Sequence, residues 1–105
     1  MPYTPKSPRK ILIVDDDRSV LVTLGGLLER YGYIVQTAST GAAGLAALPG
    51  QELALLDLGL PDMDGLELLR AVRKEAPDLA VLVVTALDSL DNAIEYVKGG
   101  ALMVS

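Results

Sequence analysis

The sequence predicts an α/β fold, a parallel sheet carrying helices on both of its faces. Two observations lead there. Short apolar runs rich in branched residues alternate with segments of helical periodicity, and unbroken apolar runs suit strands buried on both sides, as parallel strands are. Strands alternating with helices of roughly ten residues imply right-handed crossovers between parallel strands. The length of 105 residues corresponds to one small domain.

The elements follow in order. Residues 1–9 carry Pro2, Pro5 and Pro8 and lack the apolar stretch of a signal peptide, so they read as a flexible, weakly basic lead-in. Residues 10–105 form the domain. Ile11–Val14 is the first strand, and Asp15, Asp16 and Asp17 follow it at once. Val20, Leu21, Leu24, Leu27, Leu28 and Tyr31 then mark one face of a helix over 18–31, with Asp16 or Asp17 as its N-cap and Gly32 where it stops. Gly25 and Gly26 inside this helix cost about 2 kcal/mol relative to two alanines, which points to close approach to the sheet. Ile34–Ala38 is the second strand. Thr40–Leu48 is a short Ala-rich helix capped by Ser39 or Thr40. Leu53–Asp57 is the third strand, and a loop with Gly59, Pro61 and Gly65 follows. Gly65–Glu75 is a helix presenting Leu66, Leu69 and Val72, with Pro77 beyond its end. Leu79–Val84 is the fourth strand, ending at Thr85. Ser89–Lys98 is a fourth helix, closed by Gly99 and Gly100, and Ala101–Val104 begins a fifth strand.

Composition narrows the chemistry. Nine Lys and Arg against fourteen Asp and Glu leave a net charge of -5, which argues against the clustered positive surface that nucleic acid requires. The absence of Cys excludes disulfides, zinc–thiolate sites and thiol nucleophiles. The absence of His excludes a Ser-His-Asp triad and a His general base. No apolar run approaches the ~20 residues of a membrane span. Carboxylates, hydroxyls and amines are left to do any chemistry.

The carboxylates sit where an open parallel sheet binds ligands, outside the carboxyl ends of its strands. Asp15, Asp16 and Asp17 follow strand one, and Asp57 closes strand three. If those strands are neighbours, the acids converge and repel unless a cation sits among them. An all-oxygen ligand set selects a hard ion, and Mg²⁺ fits best. Thr85, closing strand four, would add a hydroxyl to the same pocket. Taken singly, each residue has a plainer role. Asp17 suits a helix N-cap, Asp62 and Asp64 suit a solvated turn before a helix, and only the joint placement at three strand ends favours phosphate chemistry.

The segments ILIVDDD, LALLDLGLPDMDG and VVTA, in this order, resemble the receiver domain of bacterial two-component response regulators from Lys10 to about Ala101. The resemblance implies a flavodoxin-like, doubly wound sheet of strand order 2-1-3-4-5. It also implies that Asp57 is the phosphoacceptor, and that Asp15, Asp16, Asp57 and the backbone carbonyl of Gly59 hold Mg²⁺. Thr85 matches the hydroxyl that bonds the transferred phosphoryl group, and Ala86 the small residue that keeps the pocket open. Pro61 and Gly65 match the loop-shaping positions. The implied activity is acceptance of a phosphoryl group from a sensor histidine kinase or a phosphotransfer protein, in the cytoplasm and without direct nucleic-acid or membrane contact. The chain is then no enzyme beyond catalysing its own phosphorylation and dephosphorylation, and an effector domain would lie beyond Ser105.

The sequence departs from the family pattern in two places. Counted from Thr85, the family's strand-five lysine falls just beyond Ser105, and Lys98 lies in the fourth helix. Val104 stands where the family usually has Tyr or Phe. With the final helix also missing, the receiver reads as cut in or after strand five. The expectation is intact metal binding, impaired phosphorylation or readout, and self-association through uncovered apolar surface. Two rival readings remain. One is a receiver-shaped interaction module. The other is a haloacid-dehalogenase-type phosphatase with Asp15 as nucleophile and Asp17 as general acid, since Asp15 to Ser19 partly match that family's opening motif. A Rossmann nucleotide site is disfavoured, because no G-x-G-x-x-G follows the first strand.

Overall fold

The computed structural model describes residues 9–84 and the strand at 102–104. Its elements are β1 (Lys10–Val14), α1 (Arg18–Arg30), β2 (Ile34–Ala38), α2 (Gly41–Ala46), β3 (Leu53–Leu56), α3 (Gly65–Glu75), β4 (Ala80–Val84) and β5 (Leu102–Val104). All four strand pairings are parallel, and the sheet runs β2-β1-β3-β4-β5. This is the doubly wound, flavodoxin-like order. The helix expected over 89–98 and the lead-in over 1–8 lie outside the described residues. Arg9, the last residue of the expected lead-in, is tied down: its N–H donates to Glu52 Oε1 at 3.0 Å and its carbonyl accepts from Ile34 N–H at 2.7 Å.

The unbroken apolar run of β1 divides its side chains between two cores, because successive residues of a strand point to opposite faces. Leu12 and Val14 join Ala54, Leu56, Val81 and Val83 beneath Leu68, Leu69 and Val72 of α3. Ile11 and Ile13 join Leu55 on the other face, where Leu21, Leu24 and Leu28 of α1 pack. Every apolar residue from Ile11 to Val14 is buried. The two-sided burial inferred from the sequence is therefore present, and the parallel pairing of β1 with β3 puts the residues after both strands at the same end of the sheet.

Three helical expectations are corrected. In α1, Leu21, Leu24 and Leu28 form the contact with the sheet, so the helix is rolled away from the Val20–Leu27–Tyr31 side. Leu27 is 45% exposed and Tyr31, which is the C-cap rather than part of the helix, is 75% exposed. In α3, Leu68 is buried beside Leu69 and Val72, while Leu66 is only partly covered. Helix α2 is shorter than expected, Gly41–Ala46, with Thr40 as N-cap. The close approach expected to explain the paired glycines is tight at neither of them. A Cβ at Gly25 would touch Val35 at an ordinary 3.5 Å, whereas one at Gly26 would meet nothing within 4 Å.

Candidate functional site

β1 and β3 are neighbours, with Val14 paired to Leu56, so the residues that follow them leave the sheet side by side. The Asp57 N–H donates to the Val14 carbonyl at 2.8 Å and the Asp15 N–H to the Ala38 carbonyl at 3.0 Å. Both backbones are thus extensions of the sheet's own hydrogen bonding, and their side chains start from rigid positions. One carboxylate oxygen each from Asp15, Asp16 and Asp57 lie within 4.8 Å of one another. Asp15 and Asp57 are half-buried and Asp16 is exposed.

The third aspartate of the run has a separate duty. Asp17 caps α1, with its Oδ1 accepting from the Ser19 N–H at 2.9 Å and from the Ser19 hydroxyl at 2.6 Å. Those bonds hold its carboxyl below the usual carboxylate range. A carboxylate kept ionised in this way is poorly suited to the general-acid role that the phosphatase reading requires. Asp15 Oδ1 accepts from the Asp17 N–H at 2.9 Å, which closes a local turn over the acidic run.

The electrostatics at Asp57 are those of a carboxyl crowded by like charge. Burial pushes its carboxyl above the usual value of 3.8, the Gly59 N–H works against that shift, and the negative charges of Asp15 and Asp16 push it further up. The Gly59 N–H reaches Asp57 Oδ1 at 3.3 Å. Three converging hard oxygen donors suit a divalent ion that accepts few carboxylates and keeps several waters. The donor set therefore fits Mg²⁺.

The loop from Asp57 to Asp64 is held by close packing. A Cβ at Gly65 would come within 2.7 Å of Leu58 Cδ2 and 2.9 Å of the Leu58 backbone Cα. Only glycine lets α3 begin this close to the residue after Asp57, which supplies a physical reason for the loop-shaping role expected of Gly65. Pro61 is exposed in the same loop. Asp64 caps α3, its Oδ2 accepting from the Leu66 N–H at 3.2 Å. Asp62 is exposed, as a solvated turn residue is, but it also has partners across the fold. Its two carboxylate oxygens accept from the Gly41 and Ala42 N–H groups at 2.8 and 3.0 Å. Thr85 and Ala86 lie outside the described residues.

Comparison with known proteins agrees with this geometry. The family model for the response regulator receiver domain matches residues 11–104. The chain belongs to this family. The transcriptional regulatory protein ZraR of Klebsiella oxytoca is 39% identical over 94 residues, covering 88% of this chain and 21% of that protein. A CheY-like receiver domain protein from Methanospirillum hungatei has a TM-score of 0.83 at 39% identity, covering 92% of this chain and 82% of that one. A response regulator from Burkholderia pseudomallei, solved with a phosphorylated aspartic acid, a calcium ion and citrate, has a TM-score of 0.81 at 32% identity, covering 90% of this chain and 59% of that one. The chain spans only 21% to 42% of the length of curated relatives it matches. Receiver domains of response regulators are typically non-enzymatic signalling modules that bind Mg²⁺, and the acidic cluster for such an ion is present here. Among the described residues no helix is long and apolar enough to cross a membrane.

Proposed function

We propose that this receiver accepts a phosphoryl group on Asp57 from a phosphohistidine of a sensor histidine kinase or phosphotransfer protein. The observation that carries the reading is the convergence of Asp15, Asp16 and Asp57 within 4.8 Å at the ends of two adjacent strands. A carboxylate oxygen of Asp57 attacks phosphorus, the phosphorus–nitrogen bond to the donor imidazole breaks, and the electron pair leaves with the imidazole nitrogen. Catalysis of such a transfer is chiefly a matter of position and charge. The sheet fixes the Asp57 backbone through Val14, and the Gly59 N–H steadies one carboxylate oxygen, leaving the other for attack.

Asp15, Asp16 and Asp57, with the carbonyl of Gly59, would hold Mg²⁺. Bound there, the ion neutralises charge among the carboxylates and on the transferred oxygens. Thr85 would bond the phosphoryl group once it is on Asp57, and Ala86 would leave room for it. A donor that carries the histidine explains why a His-free chain can take part in the transfer. In this reading the receiver works in the cytoplasm and passes its state to an effector module, as the longer relatives named transcriptional regulators suggest.

The test is labelling of the 105-residue chain with acetyl phosphate. Incorporation should require Mg²⁺, vanish in Asp57→Asn and fall sharply in Asp16→Asn. Metal-independent labelling, or labelling that survives Asp57→Asn, would refute the reading.

A further inference from the structure

The β3–α3 loop begins at the reactive carboxylate and ends on two helices at once. Asp64 caps α3, a local role that its position in the sequence suggests. Asp62 reaches back across 20 and 21 residues of sequence to the first two N–H groups of α2. Helix α2 does not lack a cap of its own, since Thr40 Oγ1 accepts from the Ala43 N–H at 3.0 Å. The bonds from Asp62 therefore add something besides starting the helix: they join the loop to it. Both of its oxygens are used, so the loop is held in orientation as well as in distance. Met63 reinforces the joint, because it packs so closely on Gly41 that a Cβ there would fall 2.6 Å from its Cγ and Sδ.

The other side of α2 rests on β1. A Cβ at Gly44 would lie 2.7 Å from Val14 Cγ2, and Val14 is the residue before Asp15. The Val14 carbonyl in turn accepts the Asp57 N–H. The contacts form a closed ring: Val14 to Asp57 by a backbone hydrogen bond, Asp57 along the loop to Asp62, Asp62 to α2, and α2 back to Val14. Asp15 and Asp57, the acids that must converge on one ion, both branch from that ring.

We propose that Asp62 is a positioning residue for the metal site, bracing the β3–α3 loop against α2 so that Asp57 stays in register with Asp15 and Asp16. The proposal rests on the Mg²⁺ reading above for its consequence, but the brace itself exists without the ion. Two backbone hydrogen bonds hold the Asp62 carboxyl below the usual carboxylate range, so the brace should persist across the physiological pH range.

The experiment compares the full chain with Asp62→Ala, Asp62→Asn and Thr40→Ala by Mg²⁺ calorimetry and amide hydrogen exchange. Thr40→Ala weakens α2 without touching the loop, and it should leave Mg²⁺ affinity within roughly twofold, far less than a lost outer-shell partner costs. Asp62→Ala should weaken Mg²⁺ binding by roughly tenfold, the lower end of the effect of outer-shell partners, with Asp62→Asn between the two. In the absence of metal, Asp62→Ala should also speed exchange at the Gly59 and Leu60 amides while sparing those of β1. Unchanged affinity and unchanged loop exchange in Asp62→Ala would overturn the proposal, as would an equal loss of affinity in Thr40→Ala. Faster loop exchange in a protein that binds no Mg²⁺ even as wild type would overturn the metal-positioning role and the Mg²⁺ reading together, leaving the brace a structural feature only.

Discussion

Asp57→Asn should make the metal-free protein more stable at neutral pH. Asp15, Asp16 and Asp57 place charged oxygens within 4.8 Å of one another. At that separation a pair of like charges repels by about 0.9 kcal/mol in water and about 3.5 kcal/mol at an effective dielectric of 20. The site is partly open to solvent, so the lower figure governs, and relief of two such repulsions amounts to roughly 1–2 kcal/mol. For a domain of this size that is a rise of roughly 5–15 °C in Tm. Asparagine keeps a carbonyl oxygen to accept the Gly59 N–H, so little is lost in exchange. The pH dependence has a definite sign. Burial, together with the charges of Asp15 and Asp16, raises the folded-state pKa of Asp57 above 3.8. Its contribution to stability is therefore fully present below the unfolded pKa and is lost as pH rises through the raised folded value. The advantage of Asp57→Asn should be absent in acid and open up as pH rises through that window. Thermal unfolding in EDTA, followed by circular dichroism from acid to neutral pH, measures it. A variant no more stable than wild type at pH 7, or one whose advantage is the same in acid, would refute the electrostatic reasoning.

Other perturbations have equally specific outcomes. Gly65→Ala should destabilise by roughly 1–3 kcal/mol, the usual cost of overpacking, because its Cβ meets the Leu58 backbone at 2.9 Å. It should also weaken Mg²⁺ binding, and calorimetry showing wild-type affinity and stability would count against this account of the loop. Gly26→Ala should stabilise α1 by about 1 kcal/mol, since nothing lies within 4 Å of the new methyl group; a lower midpoint in denaturant titration would contradict it. Saturating Mg²⁺ should raise the wild-type Tm by several degrees through mass action, and Asp16→Asn should blunt that rise without lowering the metal-free Tm.

Much of the fold was legible because both of its periodicities are local. The unbroken run at Ile11–Val14 announces two-sided burial, and the structure divides that run between two cores. The bounds of β2 and α3 agree with the sequence reading residue for residue. The Asp17 cap was also legible, as it depends only on neighbours. The roll of α1 was not, since Leu27 and Tyr31 carry the same helical period as Leu24 and Leu28, and only the tertiary packing against β1 and β2 shows which side is covered. The site was partly legible. Asp15, Asp16 and Asp57 converge as strand ends suggested, but the duty of Asp62 depends on a partner 20 residues away that no local pattern reveals. The reason for glycine at position 65 likewise appears only when Leu58 is seen against it.

In the proposed reading Asp57, and not its acidic neighbours, takes the phosphoryl group. Acetyl phosphate labelling with Mg²⁺, reduction of the acyl phosphate with borohydride and peptide mapping by mass spectrometry tests it most directly. A single reduced residue, at Asp57, is expected. Reduction at Asp15, as a phosphatase-type nucleophile would give, or at no aspartate at all, would contradict it.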